Sequence, residues 1–178
     1  MNRERIAAGY FDDVAILKRT TPRTQILPTT HYPLPTTHSL LTMYERFDHT
    51  ADLGLRIRAA DLNRLFEDAG RALFSAILAN PESVRGVEET TFRIEGTRHD
   101  DLLVDWLGEL LWTFETRKMV FGEFDVRVDA AGISASARGE PIDLERHELD
   151  TEIKAITYHG LKVEPEGAGW LAEVIVDL

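Results

Sequence analysis

The chain contains no cysteine in 178 residues. That excludes disulfides, thiolate zinc sites, iron–sulfur clusters and a cysteine nucleophile, and it fits a cytoplasmic setting. Positive charge is also short: 20 Lys and Arg stand against 31 Asp and Glu, for a net charge of −11. So acidic a chain is poorly suited to gripping bare phosphate backbones, which takes clustered Lys and Arg. It suits a soluble enzyme, a cation binder, or a protein whose partner is basic. No apolar run approaches the roughly 18 residues of a membrane span. Walker loops, GxGxxG, GxSxG, HExxH and zinc-finger spacings are missing as well. A nucleotide-binding or serine-hydrolase reading therefore has no support.

What remains is an ordinary globular balance, 43% hydrophobic and 29% charged, in a length that supports one domain with a tail. Four of the seven prolines (Pro22, Pro28, Pro33, Pro35) and eight threonines fall in the first 43 residues. Segment 28–38, PTTHYPLPTTH, is a short internal repeat. Proline at this density sustains neither a helix nor a central strand, so 1–43 reads as a disordered extension. Asp12 and Asp13 interrupt its one apolar patch, which argues against a secretory or transit signal. His31 and His38 within it can bind a metal or simply belong to a solvated linker. Met43 is a candidate for the natural start, with the domain running over 44–178.

From Tyr44 the pattern becomes regular. Residues 44–47 and 53–59 alternate and predict strands. Asp61 can cap a helix to about Ala79, with Leu62, Leu65, Phe66, Ala69, Leu73, Phe74 and Ile77 on one face. Residues 89–95 predict a strand. A second helix starts near Asp100 or Asp101 and runs to about Glu115, and its Trp106/Leu110/Phe114 stripe reads as core. Two hairpins follow, 119–129 with 132–138, and 152–164 with 169–177, separated by an acidic loop at 139–150. The order ββαβαββββ predicts a compact α+β domain, with antiparallel-rich sheets packed on two main helices.

Three places can carry chemistry. Asp48-His49-Thr50-Ala51-Asp52 joins two strands and offers carboxylates and an imidazole for a divalent cation or for acid–base work. The same residue types also cap turns. The terminal Val174-Ile175-Val176-Asp177-Leu178 reads as a buried strand that ends in two neighbouring carboxylates. These suit a hard cation such as calcium or magnesium, or are a solvated chain end. In 151–160, strand alternation puts Glu152, Lys154, Ile156 and Tyr158 on one face. Lys154 there is a surface ion pair with Glu152 or a phosphate or carboxylate contact. The acidic loop, with Asp143, Glu145, His147, Glu148 and Asp150, reads as solvated, with partner contact as the alternative.

Taken together, YERFDHTADLGLRI (44–57), DDLLVDWLGELLWTFET (100–116), GEPIDLERHELDTEIKAITYHGLKV (139–163) and the terminal VIVDL resemble the archease family. The resemblance covers 44–178 and leaves out 1–43. Asp150 departs from a position where many members carry glycine. The resemblance implies a cytoplasmic accessory protein, not itself an enzyme, of the GTP-dependent RNA ligase that acts in tRNA splicing and RNA repair. It implies that the chain promotes guanylylation of that ligase and permits multiple turnover, touching RNA only through the ligase and no membrane. It implies a metal site built from Asp52, Asp177 and Leu178, with calcium first and magnesium or manganese as alternatives. His49 and Lys154 are expected to line the same tip.

Docked at the ligase, such a cluster can supply charge neutralisation where the GTP phosphates need it. A closed structural cation that ties the 48–52 turn to the chain's end is the competing expectation. Two other functions stand beside the activator. One is a metal-dependent phosphoesterase using Asp48, His49 and Asp52. The other is a chaperone-like adaptor that binds proteins through an acidic face.

Overall fold

The computed structural model describes residues 43–49 and 52–178. The expectation of a disordered extension therefore lies outside the described residues, except that Met43 already belongs to the first strand. Ten main elements follow in order: β1 (Met43–His49), β2 (Asp52–Ala59), α1 (Leu62–Ile77), β3 (Glu88–Glu95), α2 (His99–Arg117), β4 (Met119–Asp129), β5 (Gly132–Pro141), β6 (Ala155–Ile156), β7 (Lys162–Glu166) and β8 (Gly169–Asp177). A 3-10 turn, Pro81–Ser83, follows α1.

The strands form two sheets. One has the order β1-β2-β8-β6, with β7 also paired to β8, and the other has the order β3-β5-β4. Every pairing is antiparallel. Helix α1 touches β2 of the first sheet and β4 of the second, and α2 likewise touches strands of both. The helices therefore lie between the sheets, which makes the domain α+β as expected.

Burial follows the sequence periodicity closely. Asp61 caps α1, its carboxylate accepting from the Arg64 amide at 2.9 Å. In α1, Leu65, Phe66, Ala69, Leu73 and Phe74 are sealed from solvent. In α2, Leu103, Trp106, Leu107 and Leu110 are sealed too, and the Trp106 indole donates to the Phe66 carbonyl at 2.9 Å. That bond locks the two helices together and satisfies the one polar atom of the indole. Gly70 lets β4 approach α1, because a Cβ there would stand 2.9 Å from the Phe124 ring. Lys118 ends α2 in the left-handed conformation at φ 58°.

Two expectations needed correction. The helix expected to reach Ala79 stops at Ile77, because the segment after β5 takes over its last backbone groups. Ala79 N donates to Glu148 O at 2.8 Å, and Asp150 N donates to Ile77 O at 2.8 Å. The strand expected over 152–164 is two strands. β6 and β7 share one edge of β8 but are separated by an excursion over residues 157–161. Ile153 is buried and Ile156 packs on the core, a spacing of three that strand alternation cannot give. Gly160 at φ 61° turns the excursion, and Thr157 fastens it to Ile175 O through both N (3.0 Å) and Oγ1 (2.9 Å). The shared face proposed for Glu152, Lys154, Ile156 and Tyr158 therefore does not exist.

Candidate functional site

Four strand ends meet at one edge of the larger sheet. β2 pairs with β8 as far as Leu53↔Val176, so Asp52 and Asp177 are the next residues along the two neighbouring strands. β6 pairs Ala155 with Asp177 on the other side. β1 brings the backbone of His49 opposite Asp52. The side chains of Asp48 and His49, and all of Thr50 and Ala51, lie outside the described part of the structure. The roles expected of them therefore stay with the sequence.

This arrangement is rigid for a plain reason. Leu55, Ile57, Val174 and Val176 are fully buried, so β2 and β8 are fixed by the core up to the last residue before the carboxylates. Asp177 and Leu178 then emerge, the latter 37% exposed, while Asp52 is half-buried. Two side-chain carboxylates and the main-chain terminus of Leu178 are thus held at one rim, though they are distant in sequence.

Lys154 joins them. Its amide donates to Asp177 O at 2.9 Å, and its ammonium donates to the main-chain oxygen of Leu178 at 2.6 Å. The ammonium therefore engages the Leu178 main-chain oxygen, and among the described residues it makes no ion pair with Glu152. Oxygen donors of this kind suit calcium, magnesium or manganese, not softer metals. In donor chemistry the set fits such a cation. Among the described residues, however, no three His, Asp or Glu side chains group as a complete ligand set. A cation bound there would need an oxygen of Leu178 as a further donor beside Asp52 and Asp177.

The outer face of the same sheet carries a row of alternating charge. Arg56 on β2 donates to Glu45 on β1 at 2.8 Å and to Glu173 on β8, which also receives Lys162 of β7 at 3.1 Å. Burial pushes the Glu173 carboxyl up, but Arg56 and Lys162 outweigh it and its net shift is downward. Phe47 covers Gly54 across the strand pair and stacks beneath the Arg56 guanidinium at 4.9 Å.

The acidic segment 139–150 departs from its reading as solvated. Glu140 and His147 are both buried. The Glu140 carboxylate accepts from the Arg85 amide at 2.7 Å and from the Arg146 guanidinium at 2.7 Å. Arg146 also donates to Ser83 O at 2.6 Å. His147 Nδ1 accepts from the Asp143 amide at 3.0 Å, so the ring proton sits on Nε2, 3.4 Å from Glu140. Burial depresses the basicity of His147, and the nearby Arg146 charge adds to it. The charge run hid this network. The signal that could have shown it is the pair Ile142 and Leu149, apolar residues that pack on the core from within the run. Of the remaining loop acids, Asp150 pairs with Arg46 at 2.9 Å on the surface.

Comparison with known proteins gives a consistent picture. A family model described as the Archease protein family matches residues 44–178. Protein archease of Methanopyrus kandleri is 38% identical over 139 residues, covering 76% of this chain and 99% of the relative. Protein archease of Pyrococcus furiosus is 35% identical over 144 residues, covering 78% of this chain and 100% of the relative. The solution structure of Methanobacterium thermoautotrophicum protein 1598 superposes with a TM-score of 0.68 at 34% identity, over 78% of this chain and 100% of that one. The crystal structure of a Thermotoga maritima protein, described as an archease and possible chaperone, superposes with a TM-score of 0.52 at 22% identity, over 76% of this chain and 98% of that one, and supports the fold alone.

Proposed function

The chain belongs to the archease family, and on that premise we propose that it is an accessory activator of a GTP-dependent RNA ligase, working through a cation held by Asp52, Asp177 and the main-chain carboxylate of Leu178. The observation that carries this reading is the convergence of those oxygens and Lys154 on one sheet edge. Calcium is the first candidate, with magnesium or manganese as alternatives. When bound, the cation supplies charge neutralisation for phosphate oxygens. Asp52 and Asp177 keep the rim anionic and so reject a phosphate that arrives without a cation. Lys154 fixes the terminus by its hydrogen bond and presents a second positive centre beside it. The buried strands beneath hold these groups in place without a closing movement, a preorganised arrangement. Promotion of ligase guanylylation and repeated turnover are the expected consequences.

The phosphoesterase reading rests on Asp48, His49 and Asp52, of which only Asp52 has a described side chain, and no described geometry favours it. The adaptor reading, binding proteins through an acidic face, predicts activity that survives loss of both Asp52 and Asp177. The test is multiple-turnover RNA ligation by the ligase of the same source, with GTP and Mn²⁺, at sub-stoichiometric full-length chain. Ligation beyond one turnover per ligase supports the proposal. A ligase that runs equally well alone refutes it.

A further inference from the structure

The outer face of the smaller sheet carries a row unlike the rest of this acidic molecule. Pairing sets Arg93 of β3, Ser134 of β5 and Arg127 of β4 side by side, with Thr91, Ser136 and Asp125 in the next row. Two strand spacings place the arginines about 9–10 Å apart. They border an open depression of about 550 Å³. Among the described residues, neither guanidinium has an ion pair or hydrogen bond. By contrast, Arg138 on the same face is committed to Glu123 at 3.6 Å and to Gly86 O at 3.1 Å.

Unpaired guanidiniums flanking short hydroxyls recognise oxyanions, because the planar fork meets two oxygens and the hydroxyls complete the set. The surroundings narrow the ligand. Glu89 and Glu123 lie beyond one end of the face, and Glu95 and Asp129 beyond the other. This acidic frame disfavours a multiply charged monoester and a carboxylate-rich peptide. It tolerates single charges spaced along a strand. Nor does the depression hold an anchor for a protein partner: the exposed large apolar residues Val87, Trp112, Leu144, Tyr158 and Leu178 all lie elsewhere. With no exposed aromatic available for stacking, contact would go to phosphates and not to bases.

We infer that this face binds the phosphodiester backbone of single-stranded RNA, with Arg93 and Arg127 each engaging one phosphate. The inference goes beyond the activator reading, in which RNA is reached only through the ligase. Two contacts on a chain of net charge −11 make weak, strongly salt-dependent binding. That suits RNA already held by another protein.

The test is fluorescence anisotropy of a 5′-labelled oligouridylate of twelve nucleotides, titrated with the full chain between 50 and 200 mM KCl. Saturable binding is expected, with a slope of log K against log salt near about −1.4 for two phosphates on a single strand. Arg93→Gln with Arg127→Gln should weaken it at least about fivefold at low salt and flatten the slope, while the double Lys variant keeps most of it. A thermal melt confirms that the exposed changes leave the fold intact. Three results overturn the inference: no saturable binding at 50 mM KCl, equal binding by the Gln pair, or equal competition by an oligoglutamate of matched charge. Asp52→Ala is run alongside. If it abolishes neither RNA binding nor ligase activation, the activator mechanism fails and the RNA face stands.

Discussion

Replacing Asp52 with Asn removes one anionic donor from the sheet edge and changes almost nothing else in size. Neighbouring strands lie about 5 Å apart, so the Asp52 and Asp177 charges repel by about 0.8 kcal/mol in water, less with salt. In chelator, relief of that repulsion is set against the interaction Asp52 already makes in the fold, so the calcium-induced shift, and not the chelator Tm, is the readout. A ligand at one hundred times its dissociation constant adds about 2.7 kcal/mol. For a fold of this size that raises Tm by about 8 °C. Loss of one carboxylate ligand that weakens binding ten- to a hundredfold leaves only about 0.4–1.4 kcal/mol at the same calcium concentration, or about 1–4 °C. Differential scanning fluorimetry in EDTA and in calcium gives all four values. An equal calcium shift in wild type and variant refutes Asp52 as a ligand. No calcium shift in the wild type refutes the site for that cation. A wild type that unfolds near 37 °C in EDTA shows that the cation is structural, not delivered.

Further outcomes follow from particular contacts. Lys154→Met removes a positive charge 2.6 Å from the Leu178 oxygen and should tighten calcium binding severalfold by isothermal titration, while lowering ligase activation; weaker calcium binding would show that the lysine holds the ligand in place. Gly54→Ala puts a Cβ 2.2 Å from the Phe47 ring, and should cost about 1–3 kcal/mol in urea unfolding by evicting the ring; an unchanged midpoint would mean that the ring is free to leave. His147 has a folded pKa below its unfolded value, so the unfolded chain takes up more protons as pH falls. Stability should be full above pH about 6.5 and decline below it, with depressed Glu140 extending the loss into acid. Urea midpoints of His147→Gln should fall less steeply between pH 7.5 and 5; a parallel decline would place the pH dependence elsewhere.

Much of this fold was legible because its signals are local. The α1 face and its Asp61 cap, the α2 stripe and the β4–β5 hairpin each follow from spacing within a dozen residues. What escaped is tertiary. The first helix ends at Ile77 because Asp150 N and Thr151 N donate to the Ile77 and Ala76 carbonyls while Ala79 N turns to Glu148 O, and β6 and β7 separate because the excursion between them is fastened to Ile175. Both partners are distant in sequence. The site shows the same division. Asp52 and Asp177 were suspect as oxygen donors, but more than a hundred residues separate them. Only the β2–β8 register brings them to neighbouring strand ends. In sequence Lys154 reads first as a surface pair with Glu152, and only the fold brings its ammonium to the Leu178 oxygen. The Glu140–Arg146–His147 network is invisible in a run of charges, since burial depends on what packs above it.

In the proposed function the carboxylate edge activates a partner ligase. The most direct measurement is the rate of ligase guanylylation with radiolabelled GTP, in the presence of catalytic amounts of wild-type chain, Asp52→Asn or Asp177→Asn. Acceleration by the wild type is expected, with little or none by either folded variant. Full acceleration by both variants would contradict it.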